Sequence, residues 1–181
     1  MPRLTPTITL TPFPREIELK NLNTEEERMV RDSIQLIKSC APPMYNYVRS
    51  YIRQVTRGNP VPSLPNASAY VRRGEPIVYL PENGAINDPK RYQDSTRTFV
   101  AAILLVHEAR HIEQGQATTE PDAYGFTLPW FEPCKPNDIG PSYCSTDFIC
   151  STSYASFQKY VQWRASLPYD GEPTLAPTRR P

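Results

Sequence analysis

An eight-residue apolar run, Phe99 to Val106 (FVAAILLV), continues without a break into His107-Glu108-Ala109-Arg110-His111. A segment that is apolar on every side over two turns cannot lie on a surface as an amphipathic helix does, so it is expected to be a central, buried helix. Asp94 or Ser95 can cap its start, and Gly115 stands behind Gln114 where the chain must turn away. The two histidines that close this helix are the only two in the 181 residues.

Around that helix the pattern is mixed. Residues 24 to 40 read as a helix, with Thr24 and Glu27 as a capping box and Val30, Ile34 and Ile37 on one face. Pro42-Pro43 breaks it and opens a second helix, since proline is tolerated in a first turn. Tyr45, Val48, Ile52 and Val55 carry that second helix on at helical spacing, and Gly58 is its expected stop. Residues 59 to 67 read as loop. Ser68 to Glu82 reads as two short strands around Arg73-Gly74-Glu75, from the β-branched and aromatic character of Val71, Ile77, Val78 and Tyr79. Residues 116 to 146 have little periodicity and are expected to be a long irregular segment. A last helix is expected from Asp147 or Thr152 to Leu167, ended by Pro168. The fold class is therefore α+β and mostly helical, with a small antiparallel sheet or hairpin before the buried helix and further helices on both sides.

Composition sets the limits. Lys+Arg is 20 and Asp+Glu 19, for a net charge of +1, which leaves no electrostatic footprint for nucleic acid. No apolar stretch approaches the ~20 residues of a transmembrane helix. Proline is the outlier at 21 residues, and Thr and Pro alternate at positions 5 to 14 and recur in the EPTLAPTRRP tail. Residues 1 to 20 read as a Thr/Pro-rich extended segment, 21 to 168 as the folded domain and 169 to 181 as a Pro-rich tail. Thr and Pro interrupt any apolar centre near the N-terminus, so the opening residues do not read as a signal peptide. Cys40, Cys134, Cys144 and Cys150 make an even set that fits two disulfides, with four free buried thiols as the alternative. With the linker-like ends they point to an extracellular or cell-surface protein whose export signal lies elsewhere, expected to be a monomer.

The chemistry lies in the HExxH spacing of His107, Glu108 and His111. Residues four apart on a helix stand one above the other, so both imidazoles can converge on one metal ion. Glu108 is rotated about 100° from His107 and sits beside such an ion, where it can take a proton from a water. Structural zinc sites are closed by Cys or His, and no third histidine or CxxC pair is available, so the pattern favours a catalytic zinc site with an open position. A pair of helix-terminal histidines favoured by the helix dipole is the metal-free alternative.

These residues resemble the zincin metallopeptidases, over roughly residues 68 to 115, and the HEARH sequence is similar to that of poorly characterised bacterial exported domains. The resemblance implies Zn2+ held by His107 and His111, Glu108 as general base toward a metal-activated water, and hydrolysis of peptide bonds in a peptide or protein substrate. It also implies that the strand around Ile77 to Leu80 is an edge along which an extended substrate pairs. Gln114 and Ala117 stand where a metzincin carries Gly and a third His, so the chain is not a metzincin. The third ligand is left to a carboxylate, a tyrosine or a thiolate. Asp147, at the start of the last helix, is the first choice. Asp122, in a PDAYG sequence that partly matches the aspzincin pattern, is the second, and Glu120 and Glu132 follow. Tyr154 is the chosen donor to an oxyanion, with Tyr124 and Tyr143 as alternatives. Other readings stay open: a zinc hydrolase of non-peptide or cell-wall amides, a zincin-like binding module without turnover, and a metal-free interaction domain.

Overall fold

The computed structural model describes residues 16–59, 68–82, 84–87, 94–115, 120–131 and residue 133. Over these the chain is α+β and mostly helical, with four α-helices and one four-stranded mixed sheet. None of the helices is long and apolar enough to cross a membrane.

The sheet order is β1-β2-β4-β3, built from β1 (Glu18–Lys20), β2 (Gln54–Gly58), β3 (Tyr70–Val71) and β4 (Ile77–Pro81). β1 and β2 pair in parallel, as do β2 and β4, and β3 closes the far edge antiparallel to β4. The expected hairpin is present as β3 and β4, with Gly74 at φ +77° in the turn, a conformation glycine adopts at no steric cost. The sheet is wider than that hairpin because β1 and β2 join it.

β2 corrects the sequence reading. The second helix, α2 (Pro42–Tyr51), ends at Ile52, whose backbone is extended at φ −91°, ψ 123°. Val55 and Gly58, expected as its last turn and stop, lie instead in β2. Parallel partners on both sides satisfy that segment's backbone groups, and Val55 is fully buried. At Gly58 a side chain has no room: a Cβ there would stand 2.9 Å from the Tyr79 Cβ and 2.7 Å from the Tyr70 hydroxyl. The Tyr70 and Tyr79 rings stack 5.0 Å apart beside it. β4 is also not the free edge that the resemblance implied, because Val78 and Tyr79 pair with β2 on one side and with β3 on the other.

The helix α1 spans Thr24–Cys40, as expected, but its cap is Asn23 rather than Thr24. The Asn23 side chain accepts from the Glu26 amide at 2.8 Å, and the Glu26 carboxylate accepts from the Asn23 amide at 2.8 Å. In the run Glu25-Glu26-Glu27 either frame offers a glutamate. Glu26 is the one that is buried and paired with Arg57 at 2.8 Å, which fixes the frame. Cys40, at the end of α1, is disulfide-bonded. The other three cysteines lie outside the described residues.

The central helix α3 (Asp94–Gln114) is flanked by α1, α2 and α4. Phe99, Ala102, Ile103, Leu105, Val106 and Ala109 are all at most 5% exposed, so the helix is buried on every side. It stops at Gly115, with φ +58°. Near its start the buried Arg97 donates to the Ile86 carbonyl at 3.0 Å and pairs with Glu25, tying α3 to the start of α1.

Inside the segment expected to be irregular, Glu120–Phe131 forms α4. Ala123, Thr127, Leu128 and Phe131 are buried along one side of it. This burial against α3 offsets the poor helix propensity of Gly125 and Pro129. The expected last helix and the Pro-rich tail lie outside the described residues.

Candidate metal centre

His107, Glu108 and His111 occupy the last two turns of α3. The core holds the first two tightly: His107 is 2% exposed and Glu108 5%. His111 is half-buried. The Nε2 atoms of His107 and His111 lie 3.0 Å apart, with ring centroids 4.7 Å apart and planes near perpendicular at 73°. Two nitrogens bound to one tetrahedral zinc at ~2.0–2.1 Å would be about 3.3 Å apart. The imidazoles therefore already stand at close to the separation that a shared cation requires, and the donor set suits zinc.

The two spacer positions are also committed. Ala109 is fully buried in the core. Arg110 lies over the Phe126 ring of α4 at 4.5 Å and pairs with Glu113.

α4 brings one more residue to the histidines. The Tyr124 ring lies against that of His107, with centroids 4.1 Å apart. Farther along, Phe131 meets Phe99 edge-on at 5.9 Å. Rising numbers on α3 thus meet falling numbers on α4, so the two helices are antiparallel, and Tyr124 is opposite His107. One turn on, the same register brings position 120 opposite position 111. Asp122 is two residues from both 120 and 124, hence on the other side of α4, and it is exposed. Among the described residues, no group of three or more His, Cys, Asp and Glu side chains is gathered as a metal site. Asp147, Glu132, Tyr143 and Tyr154 all lie outside the described residues.

The sequence reading missed a polar cluster beside the second histidine. Glu113 accepts from the Tyr47 hydroxyl at 2.8 Å and from the Tyr51 hydroxyl at 2.9 Å, both on α2, and also from Arg110. The Tyr47 ring packs on Tyr51 at 4.9 Å and on Phe126 at 5.1 Å. Burial works against ionising Glu113, but its three donors outweigh burial and hold the carboxyl below the usual range. Burial, then the charge and hydrogen bond of Glu113, push the Tyr47 phenol well above its usual value. One signal for this cluster was present in the sequence: Tyr47 and Tyr51 are four apart, on one face of α2.

Comparison with family models, with curated proteins and with solved structures finds no match to this chain.

Proposed function

We propose that this chain is a zincin-like, zinc-dependent metallopeptidase that hydrolyses peptide bonds, with His107 and His111 as metal ligands and Glu108 as general base. The observation that carries this reading is the 3.0 Å approach of the two Nε2 atoms on a buried helix, with a carboxylate between them in sequence. Zinc held there would supply Lewis acidity toward a carbonyl and would acidify a water.

The chain's own residues supply the rest. Glu108 accepts a proton as water oxygen bonds to the scissile carbonyl carbon. It returns that proton to the nitrogen as the C–N bond breaks, leaving a carboxylic acid and an amine. Burial of Glu108 keeps bulk water from competing for that proton. We assign the oxyanion donor to Tyr124, a reading supported by its ring packing on His107. Tyr154, the choice from sequence, keeps that role as an alternative.

For the third ligand a carboxylate remains the best choice. The α3–α4 register favours Glu120, the first residue of α4, because its position lies opposite His111 and one turn from Tyr124. Asp147 remains the alternative.

Purified protein should contain one equivalent of zinc, and His107→Ala should lose it. Glu108→Gln should keep the zinc and lose cleavage of an unstructured protein substrate. Zinc without cleavage of protein would turn the reading toward a cell-wall or other amide, tested with peptidoglycan fragments, or toward a binding module. Absence of any transition metal, with none taken up on soaking, would leave a metal-free helical domain. The disulfide at Cys40 supports the extracellular or cell-surface assignment.

A further inference from the structure

We infer that Glu113 is a positioning residue for the His107–His111 pair, joining three helices through Tyr47, Tyr51, Arg110 and Phe126; this rests on the metal reading above. His111 lies in the last turn of α3, which ends at Gln114. Last turns carry carbonyls without intrahelical donors and are the first part of a helix to fray. A ligand placed there needs outside support to keep one orientation. Glu113 provides it from the same turn. Two phenols of α2 donate to its two oxygens, one each, and Arg110 donates to the oxygen that Tyr47 also reaches.

The cluster extends to α4. Arg110 and Tyr47 both contact the Phe126 ring, at 4.5 Å and 5.1 Å. Phe126 is two residues from Tyr124, which lies on His107. One carboxylate thus holds the end of α3 against α2 and, through its partners, against the helix that carries Tyr124 and Glu120. The Arg110 and Glu113 side chains are 23% and 26% exposed, so their ion pair by itself adds little to fold stability. A satisfied polar network instead specifies one geometry.

The test is zinc affinity, measured by competition with a chromogenic chelator on folded protein. The double variant Tyr47→Phe/Tyr51→Phe keeps both rings and removes only the hydroxyls. Its zinc Kd should rise roughly 5–10-fold, at or below the low end of the range for partners bonded directly to a ligand, because the phenols act through Glu113. The visible spectrum of its Co2+ form should change as well. Asn23→Ala weakens the start of α1, away from the cluster, and should leave both readouts at the wild-type value. If circular dichroism shows that the double variant is unfolded, Glu113→Gln carries the same expectation. A Kd within about twofold of wild type and an unchanged Co2+ spectrum would overturn the inference while leaving the metal site intact. Wild-type protein that takes up no zinc would overturn both together.

Discussion

Tyr124 of α4 covers His107 of α3 with its ring, the centroids 4.1 Å apart and the planes tilted by 40°. The contact divides two roles of the tyrosine, since the ring packs and the hydroxyl can donate. Tyr124→Phe keeps the packing, so zinc content should hold. Its kcat should fall by about 10²–10³ if the hydroxyl meets the oxyanion. Tyr124→Ala should in addition loosen metal binding. Metal analysis beside peptide-cleavage kinetics separates the two, and an unchanged kcat in Tyr124→Phe returns the donor role to Tyr154.

Glu120 gives a second test. Glu120→Gln should weaken zinc binding strongly, whereas Asp122→Asn should leave it unchanged, because position 122 is on the exposed side of α4. Chelator competition checks both. Full zinc affinity in Glu120→Gln would move the third ligand to Asp147.

Gly58→Ala should lower stability by about 1–3 kcal/mol, the usual cost of forcing extra volume into a packed site. The new Cβ meets the Tyr79 Cβ at 2.9 Å, an atom fixed by the neighbouring strand. Urea denaturation should show a lower midpoint at constant slope.

Asn23→Ala removes the acceptor for the Glu26 amide and should cost about 1 kcal/mol. Thr24→Ala, at the position expected from sequence to be the cap, should cost less. Equal losses would mean that the two residues share the cap.

Alkaline stability should depend on Tyr47. Its folded pKa is raised, by burial first and then by Glu113. The folded state therefore holds the phenol proton more tightly than the unfolded state. The stabilisation is complete below the unfolded value of ~10 and is lost as pH rises through the folded value. Melting temperature should fall on that alkaline limb, and Tyr47→Phe should flatten it. An identical alkaline limb in both proteins would remove Tyr47 as its source.

The legible parts of the fold were those with a local cause. The span of α3 followed from its all-round apolarity and from Gly115, and the β3–β4 turn followed from Gly74. β1 and β2 have no such cause. They are strands because each finds parallel partners far along the chain, and Val55 fits a helical period as well as a strand. α4 was hidden by Gly125 and Pro129, whose local costs are met only by burial against α3. For the candidate site, the spacing of His107, Glu108 and His111 was visible at once. The approach of Tyr124 was not, because it depends on the α3–α4 register. The Glu113 cluster was overlooked because its members come from two helices and carry no motif.

Ala109 and Arg110 change the meaning of the two unspecified places in HExxH. The first is fully buried in the core, and the second is stacked on Phe126 and bound to Glu113. In this chain the pentapeptide is a fully specified unit, so grafting only its three named residues onto another helix would transfer the donors without the scaffold that aims them.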